Sequence, residues 1–126
     1  MRSLLDTSVA IAAEVAPLDG DLAISAVTLA ELHFGVLVAR NHAVRAERLR
    51  RLLVLQRAFD ALPLDEAVAA SYGQIAAAVV DAGRQPRSRS MDLLIAATAH
   101  ANSATLYTCN ADDFRGLDGL IDIIAV

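Results

Sequence analysis

The chain contains no lysine: its eleven basic residues are all arginine. That absence removes every chemistry built on a side-chain amine, from Schiff bases to a lysine-braced phosphoryl site. Tryptophan is missing too, and aromatic residues make up only 4% of the sequence. The two tyrosines, Tyr72 and Tyr107, are too few for a base-stacking platform. The single cysteine, Cys109, excludes an internal disulfide framework and a cysteine-built zinc site. A protein of this kind is expected in a reducing cytoplasm. No apolar run is long enough to cross a membrane. The opening "MRSLLDTSVAIAAEVAP" has the outline of a signal peptide, but Asp6 and Glu14 interrupt its apolar part.

What is abundant is aliphatic. Hydrophobic residues account for 56% of 126, which predicts one domain over residues 1–126 with a core of Ala, Val, Leu and Ile. So high an apolar share suggests that a partner or a second copy covers part of the surface. Net charge is −4, unevenly spread. Residues 40–57 carry six arginines against Glu47, while the rest of the chain carries five arginines against fourteen acids. Arg45, Arg48, Arg50 and Arg51 fit an RNA backbone and a solvated helix face equally well.

The apolar pattern alternates between strand and helix. "MRSLL" reads as a buried strand, and Thr7 or Ser8 caps a helix through about Val15. "APLDGD" is a turn, and "LAIS" a second strand ending at Ser25. Residues 27–39 are apolar nearly all round and helical in length. Residues 43–60 form an arginine-rich helix whose stripe is Leu49, Leu52, Leu53, Gln56 and Phe59. "ALPLD" is a strand-like connector, and the helix from Glu66 stops at Gly83. "RQPRSRS" is a basic loop in which Ser90 caps the helix "MDLLIAATAHA". "ATLYT" is a strand, "NADDF" a turn or helix start, and "LIDIIAV" the last strand. Strands separated by helices predict an α/β fold of three layers, with a central parallel sheet and helices on both sides.

In such a sheet, ligands bind beyond the carboxyl ends of the strands. Asp6 ends the first strand, and Asp112 and Asp113 follow "ATLYT". Asp92 opens a helix, and helix starts gather on that same edge. Taken singly, each has a structural explanation as a cap or a dipole partner. Glu31 is different. Its helix is apolar apart from His33, so a lone carboxylate there needs a cation or a strong donor. Several carboxylates without cysteine or grouped histidine suit a hard ion, Mg²⁺ or Mn²⁺. Such an ion bridges phosphate oxygens, activates water and stabilises a leaving oxygen.

The stretches "LLDTSV", "SAVTLAELHFG", "DLLIAATA" and "LYTCNADDF", in this order over nearly the whole chain, resemble the PIN domain. Within that group they resemble the VapC-type ribonuclease toxins of toxin–antitoxin pairs. The resemblance maps the family's acidic residues onto Asp6, Glu31 and Asp92. A fourth acid comes from Asp112 or Asp113, and an acid directly before phenylalanine favours Asp113. Thr7, Ser8, Thr108 and Asn110 stand in the same motifs and would orient water or carboxylates. The resemblance implies a PIN-like fold, Mg²⁺-dependent endonucleolytic cleavage of RNA, a homodimer, and a VapB-like antitoxin whose tail fills the active-site groove. The alternative is a PIN-like module that binds RNA or protein without catalysis.

Arg84, Arg87 and Arg89 precede Asp92 and are candidate RNA contacts. His33 and His100 read as satisfied core or rim residues, and Cys109 as a buried strand residue. Two other acidic Mg²⁺ pockets are disfavoured. A receiver-like phosphoacceptor domain and a haloacid-dehalogenase-like phosphatase both need a lysine, and the latter needs an acid where Ser8 stands.

Overall fold

The three inner strands of the sheet are buried on both faces, as a helix-covered parallel sheet requires. In the computed structural model, which describes residues 2–12, 18 and 20–126, β1 (Arg2–Leu5) lies mid-sheet. β2 (Asp21–Ser25) and β3 (Asp60–Leu62) flank it on one side, β4 (Thr105–Thr108) and β5 (Ile123–Ala125) on the other. All four pairings are parallel. The expected three-layer α/β architecture is therefore present.

The strand period of two sorts the core into two layers. Leu4, Ala23 and Leu106 point to one face, where α4 (Glu66–Asp81) and α5 (Ser90–Ala101) supply Val68, Ile75, Leu93 and Ala96. Leu5, Ile24 and Tyr107 point to the other, against Val9 of α1 (Thr7–Ala10) and Leu55 of α3 (His42–Ala58). α2 (Ala26–Leu37) packs on α3 and reaches across to α5.

Helix ends follow local chemistry, and several differ from expectation. Asp6 itself, not Thr7 or Ser8, caps α1 by accepting from the Val9 amide. α1 stops at Ala10, short of Val15, and the Ile11 carbonyl just past its end accepts from the Arg51 guanidinium at 3.0 Å. The rest of that predicted helix and most of the "APLDGD" turn fall on residues 13–17 and 19, outside the described residues. Gly83 ends α4 as predicted. Its φ is +80°, and the Gly83 and Arg84 amides close on the Val80 and Val79 carbonyls. Ser90 is not a cap: a 3₁₀ turn, Pro86–Arg89, runs directly into α5, so Ser90 lies inside the helix and its hydroxyl donates to the Arg87 carbonyl.

The stripe proposed for α3 is corrected too. Leu52 and Leu55 are the buried positions, while Leu49, Leu53 and Gln56 face solvent. The helix touches the sheet along a narrow line, so only part of its apolar surface is covered. Its arginines are not a free basic face. Arg45, Arg48 and Arg51 donate to the carbonyls of Leu37, Gly35 and Ile11, tying α3 to α2 and α1. No helix among the described residues is long and apolar enough to cross a membrane.

Candidate active site

The strand order reverses direction between β1 and β4, which opens a crevice at their carboxyl ends. Asp6 is the first residue after β1. It is 5% exposed and fully engaged. Its Oδ1 accepts from the Ser8 hydroxyl at 2.5 Å and the Val9 amide at 3.1 Å, and its Oδ2 from the Thr108 hydroxyl at 2.5 Å. Ser8 and Thr108 are themselves fixed from the loop after β4, by the Cys109 and Asn110 amides. The capping reading of Asp6 is therefore correct, and the same carboxylate stands at the mouth of the crevice.

Glu31 reaches this edge from the second turn of α2. Its Oε1 accepts from the Thr7 hydroxyl at 2.7 Å, and Thr7 lies 3.0 Å from the buried Thr28 hydroxyl. Thr7 gives its one proton to Glu31, so Thr28 donates to Thr7. The strong donor that Glu31 needs is thus a hydroxyl relay. Thr28 was missed in the sequence, although it lies one helical turn before Glu31. A buried contact between Ser25 and Thr98, 3.2 Å apart, ties the start of α2 to α5.

Asp92 sits in the first turn of α5. Burial, and then the carboxylates of Asp113, Glu31 and Asp6, push its carboxyl above the usual aspartate range, while Arg89 pulls the other way. Asp113, Glu31 and Asp6 are near enough to act on Asp92, so four acids distant in sequence face one crevice. Asp113 belongs to it: its Oδ1 accepts from Arg89 at 2.5 Å, and the same Arg89 nitrogen lies 4.0 Å from Asp92. Asp112 is exposed in the same 3₁₀ turn, Ala111–Phe114.

Among the described residues, no group of three or more Asp, Glu, His or Cys side chains is closed up tightly enough to form a metal site as it stands. The hydrogen bonds explain why. Asp6 and Glu31 are held by hydroxyls, and Asp113 is drawn to Arg89. The donor types nonetheless fit a hard divalent ion: all are carboxylate oxygens, and Asp92 is raised by burial and then by neighbouring carboxylates whose repulsion such an ion would relieve.

The remaining candidates scatter. Asn110 is exposed and contributes its backbone amide. Arg84 reaches the Arg115 carbonyl at 3.4 Å, and Arg87 faces solvent. Cys109 is exposed, contrary to expectation, because β4 ends at Thr108 and the next residue leaves the sheet. His33 is exposed as well. His100 is a satisfied rim residue whose Nδ1 lies 2.7 Å from the Ser71 hydroxyl. A cleft of about 390 Å³ lined by His100, Thr105, Asp118 and Asp122 lies at the other end of β4 and includes none of the four acids.

The raised Asp92 carboxyl has a consequence for stability. The folded protein holds that proton more tightly than the unfolded chain does. Its contribution therefore favours folding below the ordinary aspartate range and is lost as pH rises through the folded value. In EDTA, the melting temperature of Asp92→Asn should equal or exceed that of the parent at neutral pH. That advantage should shrink as pH falls toward the aspartate range, which melts at stepped pH would measure.

Comparison with known proteins follows the same lines. The PIN domain family model matches residues 3–120. Ribonuclease VapC5 of Mycobacterium tuberculosis is 37% identical over 131 residues, covering 98% of this chain and 94% of that protein. Among solved structures, VapBC-5 of M. tuberculosis, a member of the VapBC family of toxin–antitoxin systems, superposes with a TM-score of 0.86 at 38% identity. That match covers 99% of this chain and 98% of the other. FitAcB of Neisseria gonorrhoeae gives a TM-score of 0.78 at 29% identity, covering 98% and 96%.

Proposed function

This chain belongs to the PIN-domain family and is a VapC-type ribonuclease toxin of a type II toxin–antitoxin system; on that premise we propose that residues 1–126 form one PIN domain that cuts RNA endonucleolytically at the carboxylate pocket. The observation that supports this most is the convergence of Asp6, Glu31, Asp92 and Asp113 at the crevice between β1 and β4.

In this reading Asp6, Glu31, Asp92 and Asp113 hold Mg²⁺, with Mn²⁺ able to replace it. Asp112, one residue away and exposed, is left outside. Bound there, the ion would offset the charge of the substrate phosphate, polarise water for attack and stabilise the leaving oxygen. The chain's own residues supply position. Ser8 and Thr108 fix both oxygens of Asp6, and the Thr28–Thr7 relay fixes Glu31. Asn110 holds Thr108 through its backbone amide. Arg89 touches the acids, and Arg84 and Arg87 stand just before it in the chain; all three would meet the RNA backbone, each adding to affinity without reading sequence.

An antitoxin is the chain's protein partner, as the similar toxin–antitoxin structures indicate. A VapB-like antitoxin tail with an arginine reaching the carboxylates would inhibit by replacing the cation. Phe34, Leu37 and Val38 at the end of α2 are 67%, 72% and 52% exposed, an apolar run suited to protein contact rather than to RNA. The antitoxin and a second copy of the chain together would cover such surface.

The product ends test the mechanism. Purified protein incubated with RNA and Mg²⁺ should leave 3′-hydroxyl and 5′-phosphate ends, the outcome of attack by water. A 2′,3′-cyclic phosphate would overturn it by showing attack from the 2′-hydroxyl. No cleavage of any RNA would favour a binding-only module.

A further inference from the structure

Arg89 occupies a position that local rules disfavour. It is the residue before the first turn of α5 and makes no capping bond. A cation there meets the positive end of the helix dipole, and serine, asparagine or aspartate is the usual choice. The 3₁₀ turn Pro86–Arg89 nevertheless delivers it to the crevice. Its Nη1 lies 2.5 Å from Asp113 Oδ1 and 4.0 Å from Asp92 Oδ2. Asp6 and Glu31 are held by hydroxyl donors. Among the described residues, the side-chain ion pairs of the four acids are these two, both from Arg89.

We propose that Arg89 is the pocket's resident counter-ion, displaced from Asp113 when a divalent ion binds and then available to a phosphate of the RNA. The proposal rests on the reading of the pocket as a divalent-ion site. A guanidinium and a metal draw on the same carboxylate oxygens, so one weakens the other. Arg89 lowers the mutual repulsion of the acids in the metal-free protein and keeps them from closing into a metal site. Its side chain is 36% exposed, so it can swing outward without unfolding the turn. Its planar fork matches phosphate as well as it matches carboxylate. The exchange needs no bond to form or break, only a change of partner.

The test measures metal affinity without RNA and without turnover. Mn²⁺ is titrated calorimetrically into the parent, Arg89→Gln and Arg89→Lys. Arg89→Gln should bind Mn²⁺ tighter, on the order of tenfold, and Arg89→Lys, which keeps the charge but loses the fork, should fall between. Binding of a non-cleavable RNA analogue in saturating Mn²⁺ should weaken in Arg89→Gln, with its salt dependence reduced by about one unit of slope. Equal or weaker Mn²⁺ binding in Arg89→Gln would overturn the proposal by making Arg89 a scaffold that positions Asp113. Tighter Mn²⁺ binding with unchanged RNA affinity would overturn the transfer to phosphate. A parent that binds no Mn²⁺ at millimolar concentration would overturn the metal-site reading itself, and this proposal with it. That failure shows in the parent alone.

Discussion

Asp92→Asn should lower RNA cleavage more than about a hundredfold, beyond the usual effect of losing a residue that only orients a metal ligand. The metal-free protein should stay as stable as the parent or become more so. The substitution keeps the shape and removes one of four mutually repelling charges. Two unit charges about 4 Å apart at an effective dielectric of 20 interact by roughly 4 kcal/mol, and screening at this half-buried site reduces that. Burial first, and then the neighbouring carboxylates, push the Asp92 carboxyl above the usual aspartate range. A purely structural role at the start of α5 predicts the reverse. Asparagine would lose the favourable dipole term, and the variant would melt lower while still cutting RNA. Cleavage assays in Mg²⁺ and thermal melts in EDTA separate the two.

Asp6→Ala should remove both activity and stability. Alanine leaves the Val9 amide without its cap and the Ser8 and Thr108 hydroxyls without their acceptor in a nearly buried site. Loss of the cap costs about 1 kcal/mol, and the stranded donors raise the total to roughly 3 kcal/mol. Asp6→Asn should retain most of the fold, since its carbonyl oxygen can still accept from Val9 and Ser8, while the Thr108 oxygen turns to accept from the new amide. Both variants should fail to cut RNA. Urea denaturation of the two in EDTA, read against the parent, checks the difference. An alanine variant as stable as the parent would contradict the hydrogen-bond account of Asp6.

How much of this was legible in the chain depends on the distance over which each feature is specified. The strands and the placement of Asp6 at a strand end follow from local apolar pattern, and pattern survives folding. Four acids on one sheet edge follow from topology, because parallel strands put their ends together. The Glu31 relay was less visible. It needs Thr7 and Thr28 to meet across α1 and α2, and a threonine on an apolar helix has many innocent explanations. The ion pair of Arg89 with Asp113 was not visible, since it depends on a 3₁₀ turn that "RQPRSRS" disguises as loop. The same turn displaced Ser90 from its expected cap. Leu49 and Leu53 misled because helical period identifies an apolar face and not how much of that face another element covers. Their exposure fits a chain whose partners complete its surface.

The most direct measurement is RNA cleavage by one preparation of the protein, assayed with Mg²⁺, after EDTA, and after Mg²⁺ is restored. The account predicts cleavage that vanishes in EDTA, returns with Mg²⁺, and is missing under all three conditions in Asp6→Asn and Asp92→Asn. Cleavage that continues undiminished in EDTA, or that survives the loss of either aspartate, would contradict it.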